Sequence, residues 1–519
     1  MNRTTLSLIA GATALAAVTG VAALAAPDGD GAGAARAAAR LPVERSSLLC
    51  PAPSSSDVAE TAYTSYTPAA KATAGQGTAE LSPAGDGGSD GKKDGKGKGD
   101  KGKGGKGGKD GGKNGTKDKD APAKPVLSVK EPGKPVTEDA PGTDAPALIG
   151  TADGALAPGW TVQQTTEVAV GAGRGLQGVG CSAPDTDFWF PGASTASERS
   201  DYVHLTNPDD SAAVVDVELY GKDGHLKSAV GEGIQVGPHQ SVPVLLSTLT
   251  EKPQTNLTAH VSARSGRVAA AVQSADDKLG GDWLPPAAEP AGSLVLPGIP
   301  KDATSVRLVA FAPGADDADL KVQLASPTGS FTPAGHETLH IKSGMTAAVD
   351  LGAVTRGEAG SLLLTPTEGQ VPVVAALRVV RGKGAGQESA FIPATPAVGR
   401  RATVADNSAK GSTLSLTAPG KSATVRVTSS PGTGGGSAAT KTYTVKGGTT
   451  LSVQPPVPSG LKGRYAVTVE RVSGGQVHGS RMLAKSTDGV PMFTVQPLPD
   501  DRSTVDVPEA GEDLSVVQH

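Results

Sequence analysis

Apolar and polar residues alternate with a period of two through most of the chain after residue 160. Segments such as 213–219 and 423–427 place every second side chain on one face, which is typical of a half-buried β-strand. Glycine, proline and aspartate separate these segments, and no segment beyond the N-terminal region keeps a helical period over three turns. The pattern predicts an all-β protein built of antiparallel, Ig-like β-sandwiches.

The order of the strand-like segments recurs in units of about a hundred residues. We therefore predict three tandem sandwiches: sandwich 1 at 148–290, sandwich 2 at 291–397 and sandwich 3 at 398–499. The acidic and polar stretch 500–519 has no strand pattern and is predicted to be a disordered tail.

The first 25 residues are typical of an export signal. Arg3 precedes a long run of small apolar residues, and Ala23-Leu24-Ala25 matches the A-x-A cleavage pattern. Cleavage is the favoured outcome, and retention as an N-terminal membrane anchor is the alternative. Either outcome predicts an exported protein, secreted or held at the cell surface.

Cys50 and Cys181 are the only cysteines of the chain. In an exported protein they are most simply joined as one disulfide, and two independent free thiols are the alternative. The bridge implies that residues 46–70 contribute an N-terminal strand segment to the sandwich that holds Cys181.

Between the two cysteines the apolar periodicity fades. Residues 85–120 are nearly all glycine, lysine and aspartate, and 121–146 are rich in proline. Such sequence buries too little apolar area to offset its ordering entropy, so 71–147 is predicted to be a disordered tether. A plain spacer is favoured, and contact of its lysines with an anionic wall polymer or lipid is the alternative.

Short motifs of cysteine, aromatic and turn residues form landmarks along the chain: Cys50-Pro51, Cys181, 187–190, 205–208, 266–268 and 280–283. On these motifs the chain resembles DUF5719, a family of exported actinobacterial proteins of unknown function. The resemblance implies an envelope or secreted location and supports the cysteine pair. It implies no activity and supplies no site residue.

The segment from His336 through Glu337 to His340 matches the zincin motif H-E-x-x-H. On a helix, histidines one turn apart can bind one zinc ion. The internal repeat instead places this segment in a strand, where four residues span about 13 Å. Gly335 and Gly344 also leave little room for a helix. A zinc-dependent hydrolase is therefore only the third hypothesis.

Other chemical motifs have simpler explanations. Residues 173–178 match G-x-G-x-x-G but lead into no helix that could bind a pyrophosphate. Residues 87–91 match a nucleophile elbow but lie in the predicted tether. The acidic pairs at 209–210, 276–277 and 316–317 are expected in turns, with Ca²⁺ binding as the alternative. We predict no catalytic residue, no metal site and no cofactor.

The aromatic residues are concentrated at 187–190, where Phe188 and Phe190 share one face of a strand and Trp189 takes the other. Packing inside the protein is the favoured role. The alternative is that exposed Trp160, Trp189 and Trp283 stack on sugar rings.

The formal net charge of -4 creates no field that favours nucleic acid, so no nucleic-acid partner is predicted. We expect a non-enzymatic structural or interaction protein of the cell envelope. Its partner is an unidentified envelope protein or wall polymer, and it touches the membrane only if the N-terminal segment is retained. Binding of cell-wall glycan is the alternative function.

Overall fold

A computed structural model shows an all-β, antiparallel chain, which confirms the predicted fold class. Between its named strands, every pairing except one is antiparallel. The only helical elements of the described residues are four 3₁₀ turns, Gly142–Asp144, Gly154–Leu156, Leu246–Leu249 and Gly384–Gly386. Within the same residues, no helix is long and apolar enough to cross a bilayer. The structure describes residues 39–54, 56–69, 76–86, 124–487 and 489–507.

The two ends of the described chain form a unit of their own, a two-stranded antiparallel ribbon. Its strands are β1 (Ala39–Pro42) and β37 (Thr504–Val507). Arg40 and Asp506 lie opposite each other in the register and form an ion pair of 2.8 Å. A strand therefore occupies part of the predicted tail 500–519. The predicted export signal, 1–25, lies outside the described residues.

The first module is a sandwich of two four-stranded sheets around one apolar core. Its strands are β2 (Arg45–Cys50), β3 (Ala59–Tyr66), β4 (Ala79–Pro83), β6 (Leu127–Val129), β7 (Val136–Pro141), β8 (Leu148–Asp153), β9 (Thr161–Val168) and β10 (Gly175–Gly180). The sheets run β2-β8-β4-β6 and β10-β9-β3-β7. Tyr63, Leu148 and Trp160 belong to the shared core. The disulfide between Cys50 and Cys181 lies in the same core and confirms the predicted pairing.

This module corrects the expected domain boundaries. Residues 148–180 pair with the strands before them rather than with residues up to 290, so the described residues form four sandwiches where three were expected. The expected tether, 71–147, is too long at both ends, because 79–86 and 127–141 contain strands. These strands are short and partly polar, so their apolar alternation is weak in the sequence.

The second module pairs two five-stranded sheets. Its strands are β5 (Gly85–Asp86), β11 (Asp187–Ala193), β12 (Arg199–Thr206), β13 (Ala213–Gly221), β14 (Gly224–Leu226), β15 (Ile234–Val236), β16 (Gln240–Leu245), β17 (Leu257–Ser265), β18 (Ala269–Asp276) and β19 (Gly280–Leu284). One sheet runs β11-β17-β13-β14, with β15 also on β13, and the other runs β19-β18-β12-β16-β5. Buried and half-buried residues alternate along the whole of β13, as the period of two predicts.

The third module has a similar plan, with one five-stranded and one four-stranded sheet. Its strands are β20 (Leu294–Ile299), β21 (Ala303–Phe311), β22 (Ala318–Ala325), β23 (Ser330–Phe331), β24 (Thr338–Ile341), β25 (Thr346–Asp350), β26 (Gly360–Pro366), β27 (Val374–Arg381) and β28 (Glu388–Pro393). One sheet runs β20-β26-β22-β23, with β24 also on β22, and the other runs β25-β21-β27-β28.

The fourth module, like the first, consists of two four-stranded sheets. Its strands are β29 (Arg401–Asn407), β30 (Ser412–Ala418), β31 (Ala423–Pro431), β32 (Ala439–Val445), β33 (Thr449–Val453), β34 (Tyr465–Gly474), β35 (His478–Thr487) and β36 (Val490–Pro497). The sheets run β29-β34-β31-β32 and β33-β30-β35-β36.

The four modules pack against one another within residues 43–503. Strand β10 of the first module contacts β36 of the fourth, although two modules separate them in sequence. Gly178 makes this approach possible, because a Cβ atom there would lie only 2.7 Å from Cγ2 of Thr494. Leu176, Leu483 and Met492 form a small apolar cluster beside this contact.

Buried carboxylates lie where the modules meet. Asp282 is fully buried and accepts hydrogen bonds from the Gly178 N–H at 3.0 Å and from the Thr494 hydroxyl at 3.1 Å. Burial raises the pKa of Asp282 well above its ordinary value. Burial also raises the pKa of Glu388 to about 7, even though Arg381 lies 3.8 Å away.

Glu388 is expected to make the protein less stable as the pH rises. Its folded-state pKa of about 7 lies above the unfolded value of about 4.3, so the folded state holds the extra proton between these limits. Stability from this group is complete below the unfolded pKa and is lost as the pH rises through 7. Glu388→Gln should flatten the pH dependence of the melting temperature between pH 5 and 8. Glu358→Gln changes an exposed glutamate of the same module and is the matched control. If Glu388→Gln left the dependence of the melting temperature on pH unchanged, the raised pKa assigned to Glu388 would be contradicted.

Candidate functional site

A cleft of about 750 Å³ lies between the first and fourth modules. One wall is the outer face of the sheet β10-β9-β3-β7. The other wall is the turn from β29 to β30, together with Arg464 and the end of β35. The volume falls within the range of about 300–1,000 Å³ that is typical of small-molecule sites.

The alternation of β3 explains why charged groups reach this cleft. Tyr63 points into the core of the first module, whereas Glu60 and Ala62 line the cleft on the opposite face. The register places Glu60 opposite Glu167 of β9 and Ala62 opposite Asp139 of β7. The outer face of this sheet is therefore acidic at the end that forms the cleft.

Asp406 lies at the inner end of the cleft in an unusual backbone conformation. Its φ is 56° and its side chain is buried. The Thr165 hydroxyl donates to its carboxylate at 2.5 Å, and Arg464 pairs with the same carboxylate. A residue other than glycine with positive φ costs on the order of 1–3 kcal/mol, so contacts across the two modules hold Asp406 in place.

A bulge in β29 produces this conformation. The register between β29 and β34 is irregular between Val404 and Asn407, and Asp406 lies within that irregularity. The Asn407 amide donates to the Val404 carbonyl at 3.0 Å and to the Tyr465 carbonyl at 3.2 Å, which fixes the bulge. Bulges of this kind re-aim a side chain beside a site.

Most charges in the cleft are already paired. Glu167 pairs with Lys485 across the two modules, and Arg464 pairs with Asp406 and lies 4.0 Å from Asp139. Burial acts to raise the pKa of Glu167, but the hydrogen bonds and charge of its neighbours, Lys485 first among them, outweigh burial and lower that pKa. The pairs of Glu167 with Lys485 and of Asp139 with Arg464 join the two walls, whereas the pair of Arg464 with Asp406 lies within the fourth module.

Glu60 and Lys410 are the two charged groups of the cleft that form no ion pair within the described residues. Both are exposed, and they belong to opposite walls. Glu60 lies on β3, and Lys410 lies in the turn between β29 and β30. The cleft therefore offers one free carboxylate and one free ammonium to a ligand.

The structure shows that the tryptophan hypothesis is wrong. Trp160, Trp189 and Trp283 are only 4%, 9% and 0% exposed, so none can present a ring face to a sugar. Trp160 lies in the first core and donates to Ser65 at 2.8 Å. Trp189 lies between the second and third modules, stacked on His260 with the ring centroids 3.8 Å apart.

The H-E-x-x-H segment does not form a helix. His340 lies on β24, in the expected strand, and its Nδ1 lies 2.9 Å from an Asp319 carboxylate oxygen. His336 lies in the turn before the strand. In the described part of the chain, no group of three or more histidine, cysteine, aspartate or glutamate residues could hold a metal ion. The helical zincin arrangement is therefore not formed by these residues.

The other motifs of the sequence are also structural. The G-x-G-x-x-G segment 173–178 forms a turn and the start of β10, with no helix after it. Asp209 pairs with Arg267 at 2.9 Å, and Asp276 pairs with Arg378 at 2.6 Å. The G-x-S-x-G segment 87–91 lies outside the described residues.

The protein is therefore an all-β protein of packed sandwiches, and a cleft with the volume of a ligand-binding site lies between two of them. The chain belongs to DUF5719, a family of unknown function, which it matches over residues 136–456. The match includes Asp139, Thr165 and Asp406 of the cleft and ends before Arg464 and Lys485. No curated protein matches the chain.

Proposed function

We propose that this protein is an exported, non-enzymatic interaction protein of the cell envelope that binds its partner in the cleft between the first and fourth modules. The observation that carries the proposal is this cleft, which has the size of a binding site and has walls held by the ion pairs Glu167–Lys485 and Asp139–Arg464 between modules. Fold alone defines no activity, so the site carries the argument.

Two features support export. The first 25 residues have the charge, apolar run and A-x-A pattern of a signal segment. The disulfide between Cys50 and Cys181 joins residues 131 positions apart, and such bridges form and persist in oxidising compartments.

The charge pairing supports a binding role over catalysis. A general acid or base must be available to exchange a proton with a substrate. Asp406 and Glu167 are instead tied to Arg464 and Lys485, which suits a fixed binding surface.

Site-specific photocrosslinking in the native host tests this function. A photoreactive residue at Ser486 faces the cleft, and one at the exposed Lys222 of the second module is the matched control. We expect a defined envelope component to be captured from Ser486 and not from Lys222, in the extracytoplasmic fraction. Equal capture at both positions, capture at neither, or a cytoplasmic location would contradict the proposal.

A further inference from the structure

We propose that the ligand of the cleft is a short peptide with a free N-terminal ammonium and a free C-terminal carboxylate, held between Glu60 and Lys410. This inference rests on the proposed function, because it names the chemical class that the same cleft binds. It follows from the charges left unpaired in the cleft, from the absence of aromatic rings among the described residues that line it, and from its apolar end.

Glu60 carries a negative charge that no ion pair within the described ranges compensates. It lies directly opposite Glu167 in the register of β3 and β9. Like charges at directly opposite positions of neighbouring strands are destabilising. Lys485 neutralises Glu167, but no described residue forms an ion pair with Glu60. An incoming ammonium group beside Glu60 would relieve this repulsion.

Lys410 supplies the opposite charge from the other wall. Its turn is fixed, since the Ser408 N–H donates to the Ser412 hydroxyl at 3.0 Å and the Ala484 N–H donates to the Gly411 carbonyl at 2.9 Å. The ammonium of Lys410 therefore projects from a fixed backbone and can bind a carboxylate. The two free charges of opposite sign match the two ends of a zwitterionic chain.

The lining disfavours other ligand classes. Among the described residues that line the cleft, none is aromatic, whereas sugar rings are commonly bound by stacking on aromatic side chains. Carboxylates outnumber cations there, so the cleft does not attract a polyanion. The charged residues are Glu60, Asp139, Glu167, Asp406, Lys410, Arg464 and Lys485.

An apolar end accommodates side chains. Leu176 and Leu483 line the cleft beside the paired charges and belong to a cluster with Met492. A peptide that spans the cleft would place its backbone amides near the polar walls and an apolar side chain against these leucines. The volume of about 750 Å³ suits a ligand of a few residues.

Isothermal titration calorimetry with the tripeptide Ala-Leu-Ala tests this inference on the full-length oxidised protein. The probe is used in four forms: free, N-acetylated, C-amidated and capped at both ends. We expect the free form to bind most tightly and each single cap to weaken binding by about tenfold or more, because each removes one charge-assisted contact.

Two variants test which residue binds each end of the peptide. Glu60→Gln should remove the discrimination against the N-acetylated form, and Lys410→Met should remove the discrimination against the C-amidated form. Glu138→Gln, on the neighbouring strand but outside the cleft lining, is the matched control and should preserve both. Thermal melting of each variant verifies its fold.

Three results would overturn the inference. The first is that the free tripeptide fails to bind at all, and the second is that the free and doubly capped forms bind with equal affinity. The third is that Glu60→Gln and Glu138→Gln lose the discrimination against the N-acetylated form to the same extent. These results leave the proposed function standing if crosslinking at Ser486 still captures an envelope component. Failure of the crosslinking removes the proposed function itself.

Discussion

Replacing Cys50 and Cys181 together by alanine is expected to lower the free energy of unfolding of the first module by about 4–5 kcal/mol. The disulfide joins positions 131 residues apart, and the loss of loop-closure entropy in the unfolded chain grows with this separation. Trp160 lies in the same core and is 4% exposed, so hydrogen exchange in the peptide that contains it reports the unfolding of this module. Guanidinium titration gives the free energy.

Chemical reduction of the unaltered protein is the matched control for the double alanine variant. The described residues include no free cysteine, so a thiol reagent acts on this bridge alone there. Reduction should reproduce the loss of stability. An unchanged unfolding midpoint for the peptide that contains Trp160 in both samples would show that the bridge contributes nothing to this module.

Trp189→Ala and Phe190→Ala should both be strongly destabilising. Phe190→Ala should affect the core of the second module, and Trp189→Ala should affect its contact with the third module. Phe190 is fully buried in the core of the second module, whereas Trp189 lies against Phe311 of the third module, with the ring centroids 5.4 Å apart. Truncation of a buried aromatic residue costs about 3–5 kcal/mol. We expect Phe190→Ala to lower the melting temperature of the second module. Trp189→Ala should also separate the unfolding of the second and third modules.

Differential scanning calorimetry distinguishes these outcomes. The neighbouring residues serve as controls for each other, since both are buried aromatic residues of one strand and they occupy its opposite faces. Identical thermograms for the two variants, or a negligible effect of Trp189→Ala, would contradict the packing of the second module on the third.

The alternation of apolar residues was sufficient to predict the all-β class and the two faces of 187–190. Phe188 and Phe190 lie in one core while Trp189 lies on the other side. The internal repeat also placed His340 in a strand. These features depend on local periodicity and on its recurrence along the chain, both of which the sequence displays directly.

The alternation of apolar residues did not allow the first module to be predicted as a domain separate from the second. Its strands β4 and β6 are short, and the low-complexity stretch 87–123 lies between them in sequence. Strand β4 pairs with β6 on one side and with β8 on the other, and both lie further along the chain, so the sheet becomes visible only when distant segments are brought together.

The cleft could not be predicted for a related reason. Polar strand residues such as Thr165 and Arg481 are expected on solvated faces, yet both are buried, and Thr165 donates to Asp406 of another module. The sequence pattern does not distinguish a solvated face from a polar face covered by another module. The positive φ of Asp406 likewise follows from a bulge that no local motif marks.

Zero-length crosslinking with a carbodiimide tests most directly whether the first and fourth modules meet at the cleft. The reagent joins a carboxylate to an amine that is in contact with it, and Glu167 and Lys485 form such a pair across the two modules. We predict that mass spectrometry of the digested protein will find the peptides of Glu167 and Lys485 joined. Lys485→Arg, which keeps the charge but removes the reactive amine, should abolish the link. Absence of the link in the unaltered protein, while the pair Lys134 and Glu131 reacts, would contradict the account.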